Sequence, residues 1–102
     1  MDEINSKLGS IYTFDSGTIP ALGTKDFTIQ GRKIYLVFTS GQSSVTQNMW
    51  FVYTNGVDAI VNEIVKSSNV TLAFGSDKYT FTITNTHTVQ PITYSIIQVT
   101  ST

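Results

Sequence analysis

Residues 79–84 have the sequence Tyr79-Thr80-Phe81-Thr82-Ile83-Thr84, in which large apolar side chains alternate with threonines. Successive side chains of a β-strand point to opposite faces, so this period of two predicts a strand with one buried face and one solvated face. The segment Gly75-Ser76-Asp77-Lys78 comes directly before it and contains the residue types of a tight turn. Val70–Phe74 precedes that turn, and the three segments together predict a β-hairpin.

Strand-like segments recur along the rest of the chain, separated by turn residues. They are Ser10–Phe14, Lys25–Gln30, Lys33–Thr39, Met49–Tyr53, Asp58–Val65 and Ile92–Thr100. With the hairpin they give about eight short strands, a number and spacing typical of an antiparallel β-sandwich. We therefore predict an all-β, jelly-roll-like sandwich over residues 9–102. Residues 1–8 are interpreted as a flexible N-terminal arm, and Gly41–Thr46 as a flexible polar loop.

One segment also fits a helix. Val57, Ile60, Val61 and Ile64 have the i, i+3, i+4, i+7 spacing of an apolar helix face. Asn55-Gly56 precedes them, and this dipeptide favours a type I′ turn because both of its residues accept positive φ angles. A strand is therefore preferred, with a short helix as the alternative. The turn predicts that Tyr53 lies opposite Asp58.

Composition excludes several classes of partner. The chain has 102 residues, enough for one domain, and a formal net charge of -1 without a basic cluster, so nucleic acid is not an expected partner. It has no cysteine, which does not favour a disulfide-stabilised secreted domain. No apolar run approaches the roughly 20 residues that cross a bilayer, and no signal peptide is evident. We therefore expect no membrane association.

Catalytic groups are sparse. His87 is the only histidine, and we interpret it as a solvated turn residue because no partner orients it as a base. No pair of carboxylates marks a glycosidase, and no zinc spacing or phosphate-binding loop occurs. We expect neither enzymatic activity nor a cofactor. Aspartates at or near strand ends are interpreted as turn caps, with a calcium site as the open alternative; they are Asp15, Asp26, Asp58 and Asp77.

Three predicted strands are apolar on both faces, whereas a strand in an isolated sandwich needs one apolar face. In Lys33–Thr39, Tyr35 and Val37 lie opposite the face of Ile34, Leu36 and Phe38. The same double character occurs in Met49–Tyr53 and Ile92–Thr100. Exposed apolar faces mark association sites, although a loop or the N-terminal arm is an alternative cover. The predicted interface or ligand-binding residues are Tyr35, Val37, Trp50, Tyr53, Ile97 and Val99.

Trp50 and Tyr53 are also candidates for sugar binding. Exposed aromatic rings stack on sugar rings and anchor protein partners. If these two side chains are exposed, a carbohydrate-binding module is the alternative function. A core position for Trp50 is the competing interpretation.

The order of these segments resembles the small β-sandwich domains of tailed-bacteriophage virion proteins, such as tail fibres, head fibres and capsid decorations. The resemblance extends from Gly9 to the C-terminal strand. It lies in the general character of the β-rich sequence and not in a fixed motif. Its segments are Gly9-Ser10-Ile11-Tyr12, Thr24-Lys25-Asp26-Phe27-Thr28-Ile29, Ile34-Tyr35-Leu36-Val37, Trp50-Phe51-Val52-Tyr53, Tyr79-Thr80-Phe81-Thr82-Ile83-Thr84-Asn85 and Tyr94-Ser95-Ile96-Ile97-Gln98-Val99.

The resemblance implies a non-enzymatic structural component of a phage virion, assembled in the host cytoplasm. Such domains are commonly trimers that contact other virion proteins, and some bind glycans of the host surface. This chain lacks the long shaft that usually precedes a receptor-binding tip, which favours a short decoration or fibre-type protein. No binding residue of the family is transferable, because no defined site motif matches.

Overall fold

The computed structural model describes residues 12–41 and 46–99. These residues form eight β-strands and no α-helix, and hence no helix that is long and apolar enough to cross a membrane. The strands are β1 (Tyr12–Ile19), β2 (Thr24–Thr28), β3 (Ile34–Ser40), β4 (Asn48–Thr54), β5 (Ala59–Val65), β6 (Val70–Phe74), β7 (Thr80–Asn85) and β8 (Ile92–Gln98). The predicted arm at residues 1–8 and most of the predicted loop at 41–46 lie outside the described residues.

The strands form two antiparallel sheets, which confirms the predicted all-β class. The larger sheet has the order β1-β8-β3-β4-β5, and the smaller sheet has the order β2-β7-β6. A jelly roll arranges eight strands through two Greek keys. The division into five and three strands is consistent with a sandwich but does not confirm the jelly-roll topology.

The two sheets share one apolar core, to which every described strand except β5 contributes buried residues. Phe27 of β2 packs edge-on against Tyr94 of β8, with ring centroids 4.9 Å apart, and this contact joins the smaller sheet to the larger. Phe27 also stacks on Phe81 of β7 at 5.4 Å. The predicted alternation in β7 is confirmed for Phe81 and Ile83, which are fully buried, whereas Tyr79 lies outside the strand and is exposed.

The first strand is longer than predicted. Composition suggested Ser10–Phe14, but β1 continues to Ile19 through Asp15, Ser16 and Gly17, which are weak strand formers. Antiparallel pairing with β8 holds this segment in the sheet, from Tyr12 opposite Gln98 to Ile19 opposite Ile92. Tertiary pairing therefore overrides local propensity in this segment.

The hairpin between β4 and β5 is confirmed as a hairpin, so the helix alternative is wrong, but its register differs from the prediction. Tyr53 pairs with Ile60, not with Asp58. The Asn55 amide donates to the Asp58 carbonyl at 3.1 Å, so Gly56 and Val57 occupy the centre of the turn. Gly56 has a φ of 90°, as the first central residue of a type II′ turn requires. The Asn55 side chain accepts the Val57 and Asp58 amides at 2.9 and 2.7 Å.

A buried asparagine ties two loop segments together. Asn85, at the end of β7, has no exposed surface. Its side-chain amide donates to the carbonyls of Pro20 at 3.2 Å and Gln90 at 2.9 Å, and its carbonyl oxygen accepts the His87 amide at 3.0 Å. Its backbone amide donates to the Gly23 carbonyl at 2.9 Å. This one side chain therefore fixes the β1–β2 turn against the β7–β8 loop.

The Gly56 turn makes a first prediction. A Cβ atom at Gly56 would lie 2.3 Å from the Tyr79 hydroxyl and would require a left-handed backbone. Gly56→Val should therefore lower the free energy of unfolding by more than about 1 kcal/mol, as measured by thermal or urea unfolding. Gly75→Val is the matched control, because a Cβ at Gly75 meets no atom within 4 Å. Equal unfolding midpoints for the two variants would contradict the turn described here.

The hydrogen bonds of Asn85, here called the Asn85 clamp, give a second prediction. Asn85→Ala should lower the free energy of unfolding by about 2 kcal/mol or more, because buried carbonyl groups lose their donor. Asn62→Ala on the exposed strand β5 is the control and should change stability by less than about 0.5 kcal/mol. Urea unfolding of the three proteins gives the comparison, and a wild-type midpoint for Asn85→Ala would show that the clamp contributes no stability.

Candidate interaction surface

Three of the six predicted interface residues are buried in the core. Tyr35, Val37 and Trp50 are 0%, 0% and 1% exposed, so the expectation that they face a partner is wrong. Tyr53 and Ile97 are half-buried and Val99 is exposed, all on the opposite, outward side of the larger sheet. The strands are apolar on both faces, as predicted, but the smaller sheet covers the face that holds Tyr35 and Trp50.

Hydrogen bonds explain why these two aromatic residues tolerate full burial. The Trp50 indole nitrogen donates to a Glu63 carboxylate oxygen at 3.2 Å, beside the edge of the sheet. The Tyr35 hydroxyl accepts the Gln30 amide at 3.0 Å. Buried indole and phenol groups need such partners, and both partners lie on the inner side of the larger sheet. The core interpretation of Trp50 therefore holds, and Trp50 is not available to stack on a sugar.

The outward side of the larger sheet carries an extended apolar surface, here called the outer apolar face. Its members alternate along the strands with the core residues. They are Ile34, Leu36 and Phe38 of β3, Met49, Phe51 and Tyr53 of β4, Ile60 of β5, and Ile97 and Val99 at the end of β8. Large apolar patches of this kind are uncommon on monomeric soluble domains and mark sites of association.

Strand register brings these residues into continuous rows. Leu36 lies opposite Ile97 on one side and Phe51 on the other. Ile34 lies opposite Tyr53, which in turn lies opposite Ile60. Side chains directly opposite each other in neighbouring strands have Cβ atoms about 5 Å apart and contact one another. The rows therefore form one surface that crosses strands β8, β3, β4 and β5.

A shallow depression of about 340 Å³ lies within the outer apolar face. Its lining includes Ile34, Phe51, Tyr53, Ile60 and Asn62. No Asp, Glu, Lys or Arg of the described strands lies on this side of the larger sheet, since Asp15 and Glu63 lie on the inner side. A partner with an apolar surface would therefore meet no charged strand residue that has to lose its water.

The exposed face of the smaller sheet has a different chemistry. Its outward residues are mostly threonines, and they bond to one another across the strands. Thr28 and Thr80 share a hydrogen bond of 3.0 Å between their hydroxyl groups, and Thr82 donates to Asp26 at 2.6 Å. This face is solvated in the way that an isolated sandwich requires. The two outer sides of the molecule therefore differ, and only the larger sheet has an apolar one.

His87 has a structural role. It is half-buried, not solvated as predicted, and its Nδ1 accepts the backbone amides of Val89 at 3.1 Å and Gln90 at 3.0 Å. Both bonds stay within the β7–β8 loop. The imidazole therefore acts as a local acceptor that shapes the loop next to the Asn85 clamp.

The candidate calcium ligands are spread over the molecule. Asp77 caps its turn by accepting the Tyr79 amide at 2.9 Å, and Asp26 bonds across two strands. Asp15 accepts the Ser16 amide at 2.8 Å and the Tyr94 hydroxyl at 3.4 Å. Within residues 12–41 and 46–99, no three His, Asp or Glu side chains are close enough to hold a metal ion.

The contact between Tyr94 and Asp15 perturbs one ionisable group. Burial of the ring, and then the adjacent Asp15 carboxylate, raise the pKa of the Tyr94 hydroxyl above its ordinary value. Both effects act against the phenolate. The hydroxyl therefore keeps its proton at neutral pH and donates a hydrogen bond to the Asp15 carboxylate, which makes the pair a structural contact.

A second depression, of about 560 Å³, lies at one end of the sandwich. Residues from the end of β3 and from the β7–β8 loop line it, including Ser40, Gln90, Pro91 and Thr93. The Gln90 Oε1 atom is buried and has no hydrogen-bond partner among residues 12–41 and 46–99. None of the described lining residues is a carboxylate, histidine, lysine or arginine. The lining supplies no acid–base pair, so the outer apolar face is the stronger candidate site.

Comparison with known proteins gives no relative: no protein family, curated protein or solved structure matches the chain.

The role of His87 is testable by substitution. His87→Ala removes the acceptor of two backbone amides and should lower the free energy of unfolding by about 1 kcal/mol. Thr88→Ala, at the exposed neighbouring position, should leave the unfolding midpoint unchanged. Urea unfolding of both variants measures the difference. Indistinguishable midpoints would show that the two loop bonds contribute nothing to stability.

Proposed function

We propose that this protein is a non-enzymatic structural module that assembles with copies of itself through the outer apolar face. The observation that supports this proposal is the uncovered apolar side of the larger sheet. Ile34 is 41% exposed, Phe51 is 40% exposed and Ile60 is 56% exposed, although all three are large apolar residues on regular strands. Burial of such side chains stabilises association by about 25 cal/mol for each Å² removed from water.

A second copy of the chain is the partner that the chemistry of this face favours. The outer apolar face has no charged strand residue, so two copies of it meet without desolvating an ion. The flanking residues of β8, Thr93 and Ser95, and the nearby Asn62 of β5 supply a polar rim of hydroxyl and amide groups. An apolar centre with a polar rim is the usual composition of a protein interface.

The setting that we propose is the surface of a phage virion, as a decoration or fibre-type component. The sequence resemblance to virion domains supports this setting and favours a trimer, with other virion proteins as neighbours. The genes that flank the coding sequence test it directly. Capsid or tail genes on either side would support a virion component, whereas a metabolic operon would count against it.

Carbohydrate binding has weaker support as a second function. Of the two aromatic residues that suggested it, Trp50 is buried and only Tyr53 reaches the surface. Tyr53 lies in the rows of the outer apolar face, where a neighbouring copy would cover it. Binding of the assembled protein to a glycan array, abolished by Tyr53→Ala, would favour this second function.

Self-association can be tested by introducing one charged residue into the outer apolar face. Phe51 lies at the centre of the outer apolar face, so Phe51→Lys should lower the mass of the oligomer, because it places a charge in a desolvated contact. Thr71→Lys is the matched control, because Thr71 is an exposed strand residue of the smaller sheet. Light scattering at tens of micromolar measures the mass of each protein, and thermal melting checks that each is folded.

The masses of the wild type and the two variants distinguish the possible results. The proposal expects an oligomer for the wild type and for Thr71→Lys, and a folded protein of lower mass for Phe51→Lys. A monomeric wild-type protein would refute self-association. An oligomer that is unchanged in Phe51→Lys would show that another surface makes the contact.

A further inference from the structure

Strand β5 forms one edge of the larger sheet. Within the described residues it pairs only with β4, so the backbone amides and carbonyls on its other side have no ladder partner. Its apolar residues are also exposed: Ile60 by 56%, Val61 by 37%, Ile64 by 47% and Val65 by 44%. An exposed apolar edge strand is a template for pairing with another chain.

The other sheet edges carry features that discourage such pairing. β1 has a register shift between Thr13 and Asp15, and bulges disturb strand addition. β2 contains the charged pair Lys25-Asp26. β6 is short, with five residues. β5 has a register shift between Glu63 and Val65 and one charged residue, Glu63, but Ala59–Glu63 pairs with β4 without irregularity and contains no proline or lysine. Among the described edge strands, β5 is the one with several large, exposed apolar residues.

The alternation of hydrogen-bonded and non-bonded residue pairs along β4 and β5 shows which backbone groups of β5 face outward. Asn55 and Asp58 form a bonded pair across the turn. Bonded and non-bonded pairs alternate in an antiparallel ladder, so Ile60 and Asn62 bond to β4. It follows that Ala59, Val61 and Glu63 direct their amides and carbonyls toward the open edge. A neighbouring strand would therefore bond to Val61 and Glu63.

Charges at the two ends of β5 indicate which strand fits there. Asp58 precedes the strand and Lys66 follows it, each four residues from Asn62, and both side chains are exposed. If a second β5 pairs antiparallel about a two-fold axis at Asn62, the Asp58 end of each copy lies beside the Lys66 end of the other. In this register the backbone of Val61 bonds to that of Glu63 in the second copy, and both are residues whose backbone groups face the open edge.

We infer that two copies of this chain pair through β5, antiparallel and centred on Asn62, to form one continuous sheet. The neighbouring two-fold registers are less favourable. An axis at Glu63 places two carboxylates opposite each other, and an axis at Val61 leaves Asp58 and Lys66 without opposite charges. The contact is isologous, so each copy offers the other the same groups.

This edge contact is separate from the outer apolar face and does not depend on it. The edge contact uses backbone groups in the plane of the sheet, whereas the outer apolar face uses side chains that project from it. The edge contact alone gives a dimer. Variants of Phe51 and Val61 therefore separate the two contacts.

A single cysteine tests the pairing, because the natural chain has none. Opposed residues of a non-bonded antiparallel pair have Cα atoms about 4.5 Å apart, within the range of a disulfide. Under mild oxidation, full-length Asn62→Cys should form at least tenfold more disulfide-linked dimer than Thr71→Cys. The experiment uses non-reducing electrophoresis at a protein concentration equal for both variants. Equal amounts of dimer would overturn the inference.

Two further variants assign the cross-link to the edge. Val61→Pro removes an outward amide without removing a bond to β4, and should reduce the Asn62→Cys dimer to the level of Thr71→Cys. If thermal melting shows that the proline variant is unfolded, Val61→Glu replaces it and should have the same effect, because it places a second carboxylate opposite Glu63 of the other copy. A dimer that persists in a folded Val61 variant would overturn the inference.

Asn62 also borders the outer apolar face, so the cross-link is repeated in the Phe51→Lys chain. Edge pairing expects the dimer to remain, because Phe51 makes no part of the edge. Loss of the dimer in a folded Phe51→Lys chain would assign the contact to the outer apolar face and overturn the edge pairing. The proposed function fails separately, by an unchanged mass of Phe51→Lys.

Discussion

The packing of the smaller sheet on one side of the larger sheet is the constraint on which the rest of the molecule depends. Phe27 and Phe81 of the smaller sheet meet Tyr94 and the other inward residues of the larger one. The larger sheet is apolar on both sides, and three strands cover only one of them. Once Tyr35 and Trp50 face inward, the period of two places Ile34, Leu36 and Phe51 on the outside.

Several buried residues on the inner side of the larger sheet have polar side-chain atoms that form hydrogen bonds. Tyr35 accepts the Gln30 amide, and Trp50 donates to Glu63. Thr39 donates from the same side to the Thr46 carbonyl at 3.0 Å. A residue whose polar atom finds a partner is buried at little cost, whereas the outward residues of β3 and β4 are almost purely apolar. Asn85 extends the same principle to the loops, because one buried amide satisfies groups from two segments.

The outer apolar face and the β5 edge are two consequences of a five-stranded sheet that is only partly covered. Side chains that project outward make a surface without charge, and the last strand has open backbone groups and apolar residues. Both features are costly for a free monomer, because they expose apolar area and invite strand pairing. Both are useful for a protein that functions as part of an assembly. The threonine-rich outer side of the smaller sheet would remain in water.

The sequence by itself determined the fold class, the approximate positions of the eight strands and the existence of two-faced apolar strands, because the period of two and the turn residues are local properties. It did not determine which face is the core. Tyr35 and Ile34 both carry large, mainly apolar side chains, and only the packing of the second sheet assigns one inward and the other outward. The turn after β4 shows the same limit, since Asn55-Gly56 indicated a hairpin but the register depends on Asn55 bonding to Asp58. The Asn85 clamp joins residues more than 60 positions apart, so no local pattern contains it.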